Sequence, residues 1–536
     1  MQRIYAILTL ALFGSFTFVE KESPTWWKET VFYEIYMPSY MDSDGDGYSD
    51  FKGLSSKLDY IEELGIGGIW LTPFLSSPKV DNGYDVSDYR QIDLQYGTMD
   101  DFERFIGQAH ERGIRVIMDM VVNHTSTESY WFQESKKSKD NPYRDYYIWT
   151  DQPNNWESFF GGSAWEFDSA SNEYYYHQFD KKMADLNWSN PKVVEEIQEV
   201  LRFWLDKGVD GFRLDVINFL TTDGITQDNP FDEKGEQIHM HDKDQNGVKE
   251  AMKIIKSTVN EYEDRFIVGE IGSEDIQELK QYQSDELMDV VFNFNFGSIP
   301  EFSAQRIYDE IISMEAELSS YPTLFFGSHD MPRLMSRLAE NDENKAEALA
   351  ALMLTAKGVP FIYYGEEIGM ENISAANLEH IRDVQATIHY DLAIQTGKSD
   401  VESLQIANDH NRDKSRSPMQ WNSNIHAGFS DEVPWIKVHE NYTSRNVDAQ
   451  IPVKSSLLNQ YKKLIEMRSS NPVLQYGDYL DIKFENNVLS YTREFEGDKV
   501  TAVFNFSGQV YELAPYGNLL AGKYRVSSNS YAIIQH

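Results

Sequence analysis

The stretch Gly211-Phe212-Arg213-Leu214-Asp215-Val216 sets a guanidinium and a carboxylate two residues apart. In a strand, side chains two apart share a face. Arg213 and Asp215 then point together, while Leu214 and Val216 point the other way into packing. A guanidinium beside a carboxylate lowers its pKa and keeps it ionised, which is what a carboxylate nucleophile needs. Alone, an Arg-x-Asp pair is most simply a structural ion pair. Three further acids, Asp119, Glu270 and Asp330, also close runs that are otherwise apolar. A carboxylate ending a buried strand is costly unless it is paired or functional. Four of them at corresponding places imply convergence on one site.

The elements that would carry these acids form a series. Short apolar runs occur at Val31–Met37, Gly68–Pro73, Arg115–Val122, Val209–Asp215, Phe266–Glu270, Asp289–Phe294, Thr323–Phe326 and Val359–Tyr364. Between them lie helical patterns such as Phe51–Leu64, Met99–Arg112, Pro191–Lys207, Val248–Tyr262, Glu301–Leu318 and Lys345–Lys357, with a weaker one at Ile276–Tyr282. This alternation predicts an α/β fold, a (β/α)8 TIM barrel, whose catalytic groups sit at the C-terminal ends of the strands. Two connections are too long for barrel loops. His124 to Asn190 is rich in aromatic residues, Asn and Gly, and reads as a subdomain inserted after the third strand. Glu366 to Asp431 forms a second excursion, after the eighth. The expected division is 1–22 leader, 23–123 with 190–470 barrel, 124–189 inserted subdomain, and 471–536 a C-terminal all-β sandwich domain.

Composition narrows the function. Of 536 residues, 48 are Lys or Arg and 87 are Asp or Glu, a formal charge of -39. That argues against nucleic acid, which needs a basic footprint, and against anionic membranes, and it suits a small neutral substrate. There is no Cys, which excludes disulfides, iron–sulfur clusters, Cys-ligated zinc and thiol nucleophiles. No protein partner is implied, and a monomer is expected. Arg3 followed by an apolar run of about 15 residues fits a secretory signal peptide, hence a periplasmic or secreted enzyme. A retained membrane anchor is the alternative.

The motifs Asp119-Met-Val-Val-Asn123-His124, Gly211-Phe-Arg213-Leu-Asp215, Val268-Gly-Glu270 and His329-Asp330, in that order, resemble those of the α-amylase family of glycoside hydrolases. The resemblance covers nearly the whole chain after the leader. It is nearer to the exo-acting oligo-1,6-glucosidase and α-glucosidase branch through Asn154–Trp165, Gly365–Met370 and Arg412-Asp-Lys-Ser-Arg416-Ser-Pro-Met-Gln-Trp421. The resemblance implies a retaining mechanism: Asp215 as nucleophile, Glu270 as acid and then base, and Asp330 with His329 binding sugar hydroxyls. Two such carboxyls stand about 5–5.5 Å apart, and the acidic neighbours of Glu270 should raise its pKa. The resemblance also implies that Arg213 orients Asp215 and that His124 donates to the C6 hydroxyl. It has Tyr84 stacking on the sugar, Phe160 and Phe179 walling the pocket, and Asp81 pairing with Arg416 to close it.

Asp42-Ser-Asp44-Gly-Asp46-Gly-Tyr48-Ser-Asp50 alternates acids with glycines, which suits a hard, oxygen-seeking cation. It resembles the start of an EF-hand loop, but Gly53 stands where the bidentate Glu would be. The same loop in the resembled branch binds a structural Ca2+ through these acids and one carbonyl, here that of Tyr48. A second acidic stretch, His241–Gly247, reads as a surface loop.

The chain departs from the branch at Met183, where glutamine is usual, and at Ser328, where asparagine is common. Val216 matches the α-1,6 preference, although Val is also ordinary at a buried strand end. The function read from the sequence is therefore hydrolysis of terminal α-1,6, or else α-1,4, glucosidic bonds of short oligosaccharides such as isomaltose and panose. A transglucosylase or sucrose isomerase using the same glycosyl-enzyme is an alternative within the enzymes. A non-hydrolytic, membrane-anchored ectodomain is the alternative outside them.

Overall fold

The computed structural model describes residues 25–536 apart from 274, 319 and 516. The leader expected over 1–22 lies outside the described residues. Among them, no helix is long and apolar enough to cross a membrane.

Eight parallel strands form the central sheet: β1 Phe32–Ile35, β2 Gly68–Leu71, β3 Arg115–Met120, β4 Gly211–Leu214, β5 Phe266–Gly269, β6 Val290–Val291, β7 Thr323–Leu324 and β8 Val359–Tyr363. The order β6-β5-β4-β3-β2-β1-β8-β7 leaves one seam, between β6 and β7. The Thr323 hydroxyl bridges it, donating to Val291 O at 3.1 Å and accepting from the Asn293 amide at 2.9 Å. Each expected apolar run is a strand, and helices such as Met99–Glu111, Pro191–Asp206 and Glu343–Thr355 return the chain between them. Rings from many strands fill the lower barrel, with Phe32 stacked on Phe361 at 4.7 Å, so the catalytic rim rests on a packed floor.

The register places the chemistry. Arg213 on β4 lies opposite Asp119 on β3 and Val268 on β5. The ladder continues one step further, with the amide of Asp215 donating to Met120 O and that of Glu270 to Leu214 O. Gly211 allows this close approach, since a Cβ there would stand 1.9 Å from Phe266 O.

The inserted segment begins on a neck. His124–Ser126 pairs antiparallel with Met183–Asp185, joining His124 to Asp185. Beyond it lies a three-stranded sheet of 149–150, 165–168 and 173–176. The second excursion carries the helices Val384–Gln395 and Asp400–His410. The C-terminal domain is a five-stranded antiparallel sheet with a two-stranded ribbon.

Two buried arginines fasten that domain to the barrel. Arg493 donates to Thr355 O, Ala356 O, Leu474 O and Gly477 O, and Arg468 to Leu354 O, Ala356 O and Gly358 O. Neither has a carboxylate partner among the described residues. Carbonyls at the C-terminal end of Glu343–Thr355, the negative end of a helix, take their place.

Candidate active site

A pocket of about 220 Å³ opens on the C-terminal rim. Its walls include Asp81, Tyr84, His124, Phe160, Phe179, Asp215, Glu270 and Asp330, with Met183, Val216, Gln385 and Arg412. Arg213, His329 and Arg416 lie behind that wall and position the groups that form it.

Arg213 organises the floor. Its Nη1 donates to Asp215 at 2.7 Å and to Asp119 at 2.8 Å, and its Nη2 donates to Glu270. One guanidinium thus spans the two carboxyls expected to work as a pair. Three carboxyls around one cation cannot all ionise cheaply in a buried site. Burial pushes Asp215 up to about 6 against the pull of Arg213, and Asp119 adds to the rise. The lowered pKa expected for Asp215 from its guanidinium neighbour is therefore reversed, because burial and a third acid outweigh Arg213. Burial also pushes Glu270 up to about 7, with Arg213 opposing and Asp215 and Asp330 reinforcing. Of the two, Glu270 holds its proton to higher pH.

Behind the pocket a polar chain fixes Asp330. Glu34 accepts from Nδ1 of His329 at 2.6 Å, and Nε2 lies 2.6 Å from the Tyr84 hydroxyl and 3.0 Å from Asp330. Burial opposes charge on His329, yet Asp330 and Glu34 carry its pKa up to about 9. Tyr84 in turn donates to Asp119 at 3.0 Å, and its ring stacks on that of His329 at 5.5 Å. Burial alone would raise Asp330, but His329, Arg412 and Arg416 hold it well below the usual carboxylate range.

His124 is buried, and burial drives its pKa down to about 3, so the ring is neutral. The Asn123 amide nitrogen, anchored on Asp185 at 2.9 Å, stands 3.3 Å from its Nδ1. Among the described residues, Nε2 has no hydrogen-bond partner.

The arginine facing Asp81 is Arg412, not Arg416. Arg412 Nη2 donates to Asp81 at 2.6 Å and to Asp383 at 2.6 Å, with Nη1 3.5 Å from Asp330 and the cation 5.4 Å from the Phe160 ring centroid. Arg416 is buried behind, donating to His329 O at 2.8 Å and to Asp330 at 3.1 Å. The two arginines lie four apart in one motif, and sequence alone does not order them. Asp383 does, since it accepts from the Arg412 backbone amide at 2.7 Å as well as from the side chain. Asp383 also caps the helix bearing Gln385. Nothing in the local sequence marks Asp383 or Glu34, because each acts through a contact remote in sequence, and Gln385 reaches the wall on the helix that Asp383 caps.

Val216 is not a strand end. Its φ of 37° and ψ of 47° are left-handed, which a β-branched residue adopts only under constraint. The turn reverses its side chain into the pocket wall, overturning the expectation that it packs with Leu214.

In the acidic loop, Asp42, Asp44 and Asp50 bring one carboxylate oxygen each within 4.8 Å of one another. Asp46 is exposed and turned back to accept from the Tyr48 amide at 2.8 Å. Three of the four acids thus fit a hard cation.

The sequence profile of the alpha-amylase catalytic domain matches residues 34–477. The chain is 39% identical over 516 residues to an oligo-1,6-glucosidase of Bacillus cereus, covering 91% of this chain and 92% of that one. It is 37% identical over 515 residues to a trehalose-6-phosphate hydrolase of Bacillus subtilis, covering 91% of each. Among solved structures, the trehalulose synthase of Pseudomonas mesoacidophila superposes with a TM-score of 0.87 at 34% identity, over 95% of this chain and 99% of that one.

Proposed function

Since this chain belongs to the α-amylase family of glycoside hydrolases, we propose that it is a retaining, exo-acting α-glucosidase preferring terminal α-1,6 bonds of short α-gluco-oligosaccharides. The observation that carries this reading is a pocket walled at one end by Arg412 and Asp81, with Asp383 buried behind Arg412, and with Asp215 and Glu270 on one guanidinium at its floor. A wall there admits only the end of a chain.

Asp215 attacks the anomeric carbon while Glu270 gives its proton to the leaving oxygen, so the glycosidic bond breaks as a glycosyl–aspartate bond forms. Water, deprotonated by Glu270, then releases the sugar and frees Asp215. Nε2 of His124 donates to a sugar hydroxyl, Arg412 and Asp330 hold others, and Phe160 and Phe179 cover the ring's apolar faces. Arg213, His329 and Arg416 act one layer back, holding the carboxylates in place.

The pocket wall carries four acids against one cation, and that cation is already shared by Asp81 and Asp383. Such a lining favours neutral sugars over sugar phosphates. The loop bearing Asp42, Asp44 and Asp50 holds a structural Ca2+ in this reading, away from the pocket walls.

The test is glucose release from isomaltose, panose, maltose, sucrose and trehalose 6-phosphate. Isomaltose and panose are expected to lead, and trehalose 6-phosphate to be poor. No release from any of them would refute the reading, and isomeric disaccharides as the main product from sucrose would replace it with an isomerase. Asp215→Asn should lose at least about 10³-fold in rate, with circular dichroism unchanged.

A further inference from the structure

The turn that carries Arg412, Arg412–Ser415, also reaches a second cavity, of about 510 Å³. Arg412 lines the substrate pocket, whereas Asp413 and Lys414 line the second cavity, and the two share no wall residue. Ile373, Ile425, Val433, Trp435 and Ile436 supply much of its apolar lining. Trp435 is fixed from behind: its Nε1 donates to Ser39 Oγ at 2.9 Å, and its ring stacks on Tyr48 at 5.9 Å. Ile425 and Val433 are 65% and 76% exposed, so the apolar lining runs out to solvent.

The charge of this cavity reverses that of the chain. Overall there are 87 acids against 48 Lys and Arg. Here Arg382, Lys414 and Lys437, with His380 and His426, face the single acid Asp413. Arg382 donates to Glu379 O at 2.8 Å and Lys414 to Asp409 O at 3.0 Å, and among the described residues none of the three cations is ion-paired. Burial lowers the pKa of Lys414, so an added anion would relieve it. Asp413 is buried, and its Oδ2 accepts from the Arg382 and Asp383 amides at 2.7 and 3.1 Å. Its Oδ1 has no hydrogen-bond partner among the described residues. A buried carboxylate oxygen left bare is costly, and a hydroxyl or N–H brought by a ligand would satisfy it.

A concave, mostly apolar space with a few placed polar groups is the usual form of a small-molecule site. We propose that this cavity binds a small organic anion with an apolar ring and a hydroxyl or N–H, and that its occupant steadies Arg412. The anion meets Arg382, Lys414 and Lys437, the ring lies against Trp435, and the donor meets Oδ1 of Asp413. A sugar phosphate suits the cations but not the walls, since its hydroxyls would face Ile373, Val433 and Ile436. The route to Arg412 is short. Asp413 holds the Asp383 amide, and the Asp383 carboxylate holds both the side chain and the backbone amide of Arg412.

Isothermal titration with 4-hydroxyphenylacetate should give one site with a Kd of about 0.1–1 mM. Its neutral analogue 4-hydroxyphenylethanol and glucose 6-phosphate should each bind at least about tenfold more weakly. Arg382 and Lys437 are exposed and lie outside the substrate pocket. Arg382→Gln, which keeps the backbone amide serving Asp413, and Lys437→Gln should each weaken 4-hydroxyphenylacetate about fivefold. Without it, kcat/KM on isomaltose should stay within about twofold in both. Saturating 4-hydroxyphenylacetate should lower KM for isomaltose about threefold, at higher concentration in the two variants. No binding of it at about 10 mM, equal binding of the alcohol, or an unaltered Kd in both variants would overturn the site. Tighter binding of glucose 6-phosphate would overturn the apolar ring as the selected feature. An unchanged or raised KM at saturation would overturn the action on Arg412. The binding measurements stand apart from the glucosidase reading, which fails instead if no sugar releases glucose.

Discussion

Arg412 and Asp81 meet at 2.6 Å across 331 residues of chain, and their contact closes one end of the pocket. The loop after β2 and the excursion after β8 are fastened there. Removing the guanidinium leaves two buried acids, Asp81 and Asp383, without their cation.

Arg412→Ala should raise KM for isomaltose and lower kcat/KM about 10–100-fold, as expected for losing charged hydrogen bonds. Arg412→Lys should recover only part of this, because a point charge cannot serve Asp81 and Asp383 at once. Arg416→Lys should act differently, through a misplaced Asp330, and reduce kcat more than it raises KM. Steady-state kinetics on isomaltose separates the two. Equal effects would mean that only Asp330 matters.

The pH profile follows from the two working carboxyls. Asp215 must be ionised to attack, so activity is lost as pH falls through about 6. Glu270 must be protonated to assist departure, so activity is lost as pH rises through about 7. The profile of kcat/KM should be a narrow bell between these values, which belong to the coupled group and not to either residue alone. With α-glucosyl fluoride, whose departure needs no full proton transfer, the alkaline limb should move up or vanish. An unchanged alkaline limb would assign it to another group.

Val216 offers a test of stored strain. Val216 is half-buried, so truncating it costs part of the about 1.5–3 kcal/mol of a fully buried valine, and glycine adds backbone entropy to that loss. Here Val216→Gly also removes a left-handed conformation worth about 1–3 kcal/mol. The melting temperature should hardly fall, while the ratio of α-1,6 to α-1,4 hydrolysis should drop. A clear drop in melting temperature would show that the turn is not strained.

The cation loop can be tested without turnover. A chelator should lower the melting temperature by several degrees, since an ion bound to the native state stabilises it by mass action. Asp44 is exposed, so Asp44→Asn should leave the protein folded and remove that sensitivity. The same chelator shift in Asp44→Asn would show that the ion sits elsewhere.

Arg493→Met should cost about 3–5 kcal/mol in urea unfolding, since it removes the guanidinium from the buried carbonyls of Thr355, Leu474 and Gly477 and leaves Ala356 O to Arg468 alone. A small loss would show that the C-terminal sheet is held by its apolar contacts instead.

The barrel was legible because its strands are buried on both faces and so read as continuous apolar runs, each interrupted by helical periodicity. Asp119, Asp215, Glu270 and Asp330 stood out because charge at the end of such a run is rare. Local sequence determined these features because each depends on neighbours within a few residues. What only the tertiary structure decided depends on groups brought together from afar. Asp383 selected Arg412 over Arg416 as the partner of Asp81. Burial beside Asp119 raised Asp215 where Arg213 alone would have lowered it. The turn after Asp215, closed by the Val216 and Ile217 amides donating to Glu270, made Val216 a wall of the pocket and not part of the core. Charge balance in a dry site is a property of the whole set of neighbours, and no stretch of chain contains that set.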